Sequence, residues 1–198
     1  QESAYLKLIF PRPGEVRPLV RTYTVSEQRN DEIDVDFALH AAEGPATVWA
    51  RSAQPGDKIL VGGPGPKKLI NTDADWFLLA GDMTALPAIK ASLAHLPQDA
   101  QGYAVLEVVD ESDIQPLRFP QNIEVHWIVN AGADIAESPL LDRIEQLSWL
   151  PGQAAVWAAC EFHSKRAQRK YIKLQRQLPN GHLYSSSYSK IGKTEDQH

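Results

Sequence analysis

The sequence predicts two domains in series: an antiparallel β-barrel over residues 1–70, then an α/β domain built on a parallel sheet over residues 71–198. Up to about residue 70 the apolar residues fall in short alternating runs, the pattern of strands with one buried face. Beyond it the runs are apolar on both faces and alternate with helical periodicity, as in a parallel sheet covered on both sides. Between the two textures lies Gly62-Gly63-Pro64-Gly65-Pro66, which the interior of neither a strand nor a helix accommodates.

In the first half, strands are expected at Tyr5–Phe10, Leu19–Val25, Ile33–His40 and Lys58–Val61, separated by Pro11–Gly14, the polar run Glu27–Glu32 and Pro55-Gly56-Asp57. Ile33, Val35, Phe37 and Leu39 alternate with Asp34, Asp36, Ala38 and His40, so the first set is expected in the core and the second toward a ligand. Gly44-Pro45 reads as the N-cap and first position of a short helix. Four strands are few for a closed barrel, and one or two more are expected ahead of Gln1. In the second half, strands are expected at Trp76–Ala80, Tyr103–Val109, Ile123–Val129 and Ala154–Ala159, with helices near 85–96, 138–148 and 162–178. Ligands of such sheets bind where a strand's carboxyl end turns into a helix. The first such turn runs from Ala80 to Pro87: Gly81 permits a tight turn, Asp82 or Thr84 offers a cap, and Pro87 suits a first helical turn.

Composition excludes several classes. The chain has 198 residues, 43% of them apolar and 23% charged, with a net charge of −5, which disfavours a general nucleic-acid binder. No apolar run reaches membrane-spanning length and no secretory leader is evident, so a soluble protein is expected. Cys160 is the single cysteine, which rules out an internal disulfide or a cysteine-built metal cage and fits a reducing cytoplasm.

Two segments carry the chemistry. In Arg21-Thr22-Tyr23-Thr24, a strand places the Arg21 guanidinium and the Tyr23 ring on one face, an anion binder beside a stackable ring. After the Asp36–His40 segment, the helix start at Gly44-Pro45 turns free amides and a positive dipole end toward any nearby phosphate. A flat aromatic cofactor with a pyrophosphate, such as FAD, would use both.

The order of motifs then resembles a known family. Arg21–Thr24, Asp34–His40, Gly44–Ala50, Pro55–Asp57, Gly62–Gly65 and the run Trp76–Ile89 resemble the siderophore-interacting proteins, bacterial FAD-dependent ferric-siderophore reductases. The resemblance extends from Tyr5 to the Tyr188–Gly192 tail. It implies a ferredoxin-reductase-like flavoprotein: a six-stranded barrel that carries FAD and a Rossmann-like domain that accepts a nicotinamide. Position by position, it implies that Arg21 contacts the FAD phosphates, Tyr23 the isoalloxazine or ribityl region, and Thr24 the flavin N5 edge. Asp36, Phe37 and His40 fall in the family's second flavin strand, Ala46, Thr47 and Trp49 in its pyrophosphate loop and helix, and Asp82 and Thr84 in its turn at the domain junction. Lys7 matches a lysine that attracts the anionic substrate, and Lys190 a basic residue near the C-terminus. Cys160 stands where the family usually has the glycine of a Gly-Glu pair, which bears on how closely a nicotinamide approaches. Ser189 stands where it often has tryptophan.

Bland readings stand beside these. His40 also reads as a hydrogen-bonded strand-end histidine, and Trp49 equally as core packing. In the helix at 162–178, Ala167, Tyr171, Leu174 and Leu178 are expected to be buried, leaving Lys165, Arg166, Arg169, Lys170, Lys173 and Arg176 outside. That basic face is either a solvated surface or a docking site for ferredoxin or nucleotide phosphates. The expected activity is reduction of Fe(III) in a siderophore with electrons from NAD(P)H or ferredoxin, needing no protein-bound metal and no catalytic proton-transfer residue. The competing expectations are a general NAD(P)H-flavin oxidoreductase and a siderophore or partner binder without flavin.

Overall fold

The computed structural model describes residues 4–12, 14–39, 44–132, 139–176 and 178–189, the side chains of 162–164, 175 and 189 excepted. The chain divides into two compact units, one running to Lys68 and the other starting at Leu69.

The first unit is an antiparallel sheet of order β3-β2-β1-β4, made of β1 (Tyr5–Phe10), β2 (Leu19–Gln28), β3 (Ile33–Val35) and β4 (Leu60–Gly62), with one helix, α1 (Pro45–Ser52). β1 alternates as its sequence requires: Leu6, Leu8 and Phe10 are buried and Tyr5, Lys7 and Ile9 half-exposed. Directly opposed residues of an antiparallel pair share a face. Leu6 opposes Tyr23 and Leu8 opposes Arg21, so Arg21 and Tyr23 stand on the core face, and Lys7, Thr22 and Thr24 on the other. α1 lays Ala46 against Leu8 and Phe10 on that same core face.

The third strand is shorter than its alternation predicts. A bulge between Val25 and Glu27 breaks the β2–β3 register, and pairing stops at Val35. Ile33 is 44% exposed and Leu39 50% exposed, so the expected core face of 33–39 fails at both ends. Beyond Val35 the Asp36 carboxylate accepts a hydrogen bond from Ser26 Oγ at 3.0 Å. Phe37 packs into the aromatic group above α1 instead of extending the ladder.

The second unit is a five-stranded sheet of order β7-β6-β5-β8-β9, every pair parallel. Its elements are β5 (Trp76–Asp82), α2 (Leu86–His95), β6 (Gln101–Val108), β7 (Asn122–Val129), α3 (Leu140–Gln146), β8 (Ala154–Glu161), α4 (Phe162–Arg176) and β9 (Leu183–Ser189). Counted from β5 the order is 3-2-1-4-5, the arrangement of a doubly wound sheet. On one face α2 packs Ile89 and Leu93 with Phe77, Leu79, Leu106 and Trp157. On the other, Leu140 and Ile144 of α3 and Ile172 of α4 pack with Leu78, Val105 and Val156. Two-sided burial is why these central strands read as unbroken apolar runs.

Two elements depart from the sequence pattern. β9 was not among the expected strands, because Leu183–Ser189 is mostly serine. Its neighbour supplies the missing hydrophobicity: Tyr184 stacks on Trp157 with ring centroids 5.2 Å apart, and Tyr188 meets the same ring edge-on at 6.2 Å. Among the described side chains of α4, Gln168 and Ile172 are buried, whereas Ala167 is exposed and Leu174 is 64% exposed. Of the expected set, Tyr171 and Leu178 pack half-buried against the core, while the fully buried positions lie one residue later, at Gln168 and Ile172.

Candidate functional site

In the first unit, strand period and helix placement bring Arg21, Tyr23 and the amino end of α1 onto one face of the sheet. Arg21 Nη1 donates to the carbonyl of Val20 at 2.7 Å, which holds the guanidinium close to its own strand. Tyr23 packs on Phe37 with centroids 4.5 Å apart, Phe37 meets Trp49 at 6.0 Å, and Trp49 meets Phe10 at 6.4 Å. Trp49 is thus packed into this aromatic group, and the orientation of Tyr23 rests on Phe37.

α1 begins as its sequence indicates. Gly44 is the N-cap in extended conformation and Pro45 opens the helix; no side chain caps it and no acid lies in its first turn. Amides of the first turn have no partner within the helix itself, so the positive end of α1 is set to meet an anion. Ala46 and Thr47, the first residues after the proline, are both buried. An arginine, an aromatic ring and an uncapped helix start on one face are a donor set whose chemistry fits a flavin dinucleotide.

Lys7 and Thr24 lie on the opposite face of β1 and β2, and Lys7 Nζ donates to the hydroxyl of Thr22. Asp36 is exposed and engaged with Ser26. His40 and Lys190 lie outside the described residues.

In the second unit, Asp82 ends β5 and organises the turn that follows. Its Oδ1 accepts the Thr84 amide at 3.0 Å and also the Thr84 hydroxyl, and its Oδ2 accepts the Glu161 amide at 2.8 Å. The N-cap of α2 is Ala85 without a side-chain bond, so neither Asp82 nor Thr84 caps the helix; the pair closes the turn just before it. Burial pushes the Asp82 carboxyl up to about 6 despite these donors, with the nearby Glu107 adding to the rise. Gly81 is required here: a Cβ would lie 2.5 Å from the Ala159 carbonyl oxygen and 2.8 Å from Ile89 Cδ1.

Sequence reading missed Glu107. It is buried within β6, opposes Asp82 in register, and accepts a hydrogen bond from Asn130 Nδ2 at 2.7 Å. Its signal was a lone acid inside the apolar run Tyr103–Val109, since acids are almost never fully buried without a partner. The carboxyl ends of β5, β6 and β8 thus present Asp82, Glu107 and Glu161. Burial and these three carboxylates hold the Cys160 thiol well above its ordinary value, so it is a packed core group and not a nucleophile.

An antiparallel sheet followed by a 3-2-1-4-5 parallel sheet is the two-part arrangement of the ferredoxin-reductase-like fold. A ferredoxin-NADP+ reductase from Plasmodium falciparum superposes with a TM-score of 0.64 over 94% of this chain and 83% of that one; at 14% identity the likeness concerns fold alone. Residues 4–68 match the family model of the siderophore-interacting FAD-binding domain, and residues 74–192 that of the siderophore-interacting protein. The chain belongs to the siderophore-interacting protein family. The siderophore-interacting protein SipS from Aeromonas hydrophila superposes with a TM-score of 0.86 at 31% identity, covering 98% of this chain and 81% of that one. A protein named ferric vibriobactin reductase ViuB, from Vibrio cholerae, is 36% identical over 195 residues, which are 96% of this chain and 70% of that protein.

Proposed function

We propose that this protein is an FAD-dependent reductase that converts Fe(III) held by a siderophore to Fe(II). The observation that carries the reading is the convergence of Arg21, Tyr23 and the uncapped start of α1 on one face of the first unit. The relative named ferric vibriobactin reductase supports the choice of a ferric chelate as substrate.

FAD supplies the redox chemistry when bound, accepting electrons from a donor and passing them singly to iron. The protein's part is binding and electrostatics. Arg21 holds the pyrophosphate by charge-assisted hydrogen bonds, helped by the first-turn amides of Ala46 and Thr47. Tyr23, oriented by Phe37, gives the flavin an aromatic wall, with Trp49 packed behind. Thr24 follows Tyr23 on the opposite face of β2 and is left out of this wall, and Asp36 and His40 are assigned to the cofactor on the family resemblance alone. Lys7 and Lys190 attract an anionic ferric chelate. Hard oxygen ligands suit Fe(III) better than Fe(II), so one-electron reduction loosens the chelate and releases iron inside the cell. The donor is NAD(P)H, received at the carboxyl ends of the second sheet beside Asp82 and Thr84, or a ferredoxin received on the basic α4.

Anaerobic mixing of the FAD-loaded protein with NADH, NADPH or reduced ferredoxin tests the cycle. At least one donor is expected to bleach the flavin, and a ferric catecholate then to restore its colour while an Fe(II) chelator develops its own. Failure of all three donors to bleach overturns the reading. Equal turnover of ferric citrate, quinones and ferric catecholate would make the protein a general flavin reductase instead.

A further inference from the structure

α4 carries six cations, Lys165, Arg166, Arg169, Lys170, Lys173 and Arg176, and no acid, in a chain whose net charge is −5. Like charges one helical turn apart destabilise a helix, so propensity does not account for the arrangement. Arg176 has a packing role: its guanidinium lies 4.5 Å from the Trp149 ring and donates to the Tyr171 hydroxyl at 2.7 Å. Arg169 and Lys173 have no such role; among the described residues neither makes a hydrogen bond or ion pair.

These two cations, one turn apart, instead form one wall of a cavity of about 310 Å³. The facing wall is the turn that joins α4 to β9, with Asn180, Gly181, Leu178 and Leu183. That turn is fixed: the His182 amide donates to the Pro179 carbonyl at 3.1 Å, Gly181 takes a positive φ of +84°, and Leu178 and Leu183 pack against the core under α4. Among the described residues no acid lines the cavity. A guanidinium fork, an ammonium and a side-chain amide around a rigid, partly apolar floor match a small anion of two charges and several oxygens.

The cavity's position separates it from a dinucleotide site. Leu183 pairs with Val156, five residues along β8 from Glu161, or about 17 Å at the rise of a strand. Doubly wound sheets receive dinucleotides at their carboxyl ends, and this cavity sits at the amino ends.

We propose that the cavity between α4 and the α4–β9 turn is a binding site for a small dianion, a phosphate monoester or a dicarboxylate, separate from the flavin half of the protein. Titration of the ¹⁵N-labelled, FAD-loaded protein with inorganic phosphate and with succinate, each against chloride of equal ionic strength, tests it. Saturable shifts of the Asn180, Gly181 and Leu183 amides are expected with at least one probe, with the Tyr23 and Thr47 amides unmoved. Response to phosphate alone identifies a phosphate ester as the ligand class, and response to succinate alone a dicarboxylate. The double variant Arg169→Gln/Lys173→Gln is expected to weaken binding by about tenfold or more, the scale of losing charge-assisted hydrogen bonds, with its flavin spectrum unchanged. The control Lys165→Gln/Arg166→Gln is expected to bind as before. Equal shifts with chloride, no saturable shift with either probe, binding retained in the first variant, or an equal loss in the control would each overturn the proposal.

Discussion

The Asp82 carboxylate accepts the backbone amide of Glu161 at 2.8 Å and so ties the end of β5 to the end of β8, while its other oxygen holds Thr84. Burial raises its carboxyl from 3.8 to about 6, so the folded chain binds this proton more tightly than the unfolded chain does. A raised value contributes stability that is fully present below the unfolded value and is lost as pH rises through the folded one. Relative to Asp82→Asn, the wild-type protein is therefore expected to lose up to about 3 kcal/mol between about pH 4 and about pH 7. Urea unfolding of both proteins across that range checks it, and a pH-independent difference would refute it.

Arg21 and α1 divide the phosphate contacts in the proposed site, which separates cofactor retention from folding. Arg21→Ala is expected to weaken FAD binding by roughly 10- to 100-fold, the scale of a charged hydrogen-bonding partner. Arg21→Lys keeps the charge without the planar fork and is expected to recover only part of the loss. Flavin fluorescence on titration of the apoprotein gives the affinities, and circular dichroism is expected to show an unchanged fold.

Gly81 is the contact point of β5, β8 and α2. A methyl group there would sit 2.5 Å from the Ala159 oxygen, 2.8 Å from Ile89 Cδ1 and 2.9 Å from Ala85 Cβ. Backbone cannot yield as a flexible side chain does, so Gly81→Ala is expected to cost about 1–3 kcal/mol, the usual range for overpacking. The loss would appear as a lower urea midpoint with an unchanged slope.

Much of the fold was legible because it depends on backbone period. The alternation Leu6, Leu8, Phe10 and the unbroken runs Trp76–Ala80 and Ala154–Ala159 each state how many faces of a strand are buried. The shared face of Arg21 and Tyr23 follows from the same period and needs no tertiary information. What was not legible depends on neighbours. β9 is a strand because Trp157 receives Tyr184 and Tyr188, and Tyr23 is oriented by a phenylalanine that leaves its own ladder to join α1. Glu107 is carried inside by the register of β6 and met there by Asn130, a residue 23 positions away.

The phase of α4 misled for a reason that is itself testable. Gln168 is 1% exposed while Leu174 is 64% exposed, the reverse of their polarity, so hydrophobic periodicity misplaces these two although Tyr171 and Leu178 of the same stripe do meet the core. Inside, Gln168 Nε2 donates to Cys160 Sγ at 3.4 Å, a weak acceptor, and its Oε1 has no hydrogen-bond partner among the described residues. A buried acceptor left unpaired costs about 1–3 kcal/mol, whereas a thioether of similar length asks for no partner. Gln168→Met is therefore expected to stabilise the protein by about 1 kcal/mol, and Gln168→Ala, which opens a void beside Ile172, to destabilise it. Urea unfolding of the three proteins decides the matter: if methionine destabilises as much as alanine, the glutamine oxygen has a partner and the buried amide is a paired element of the core.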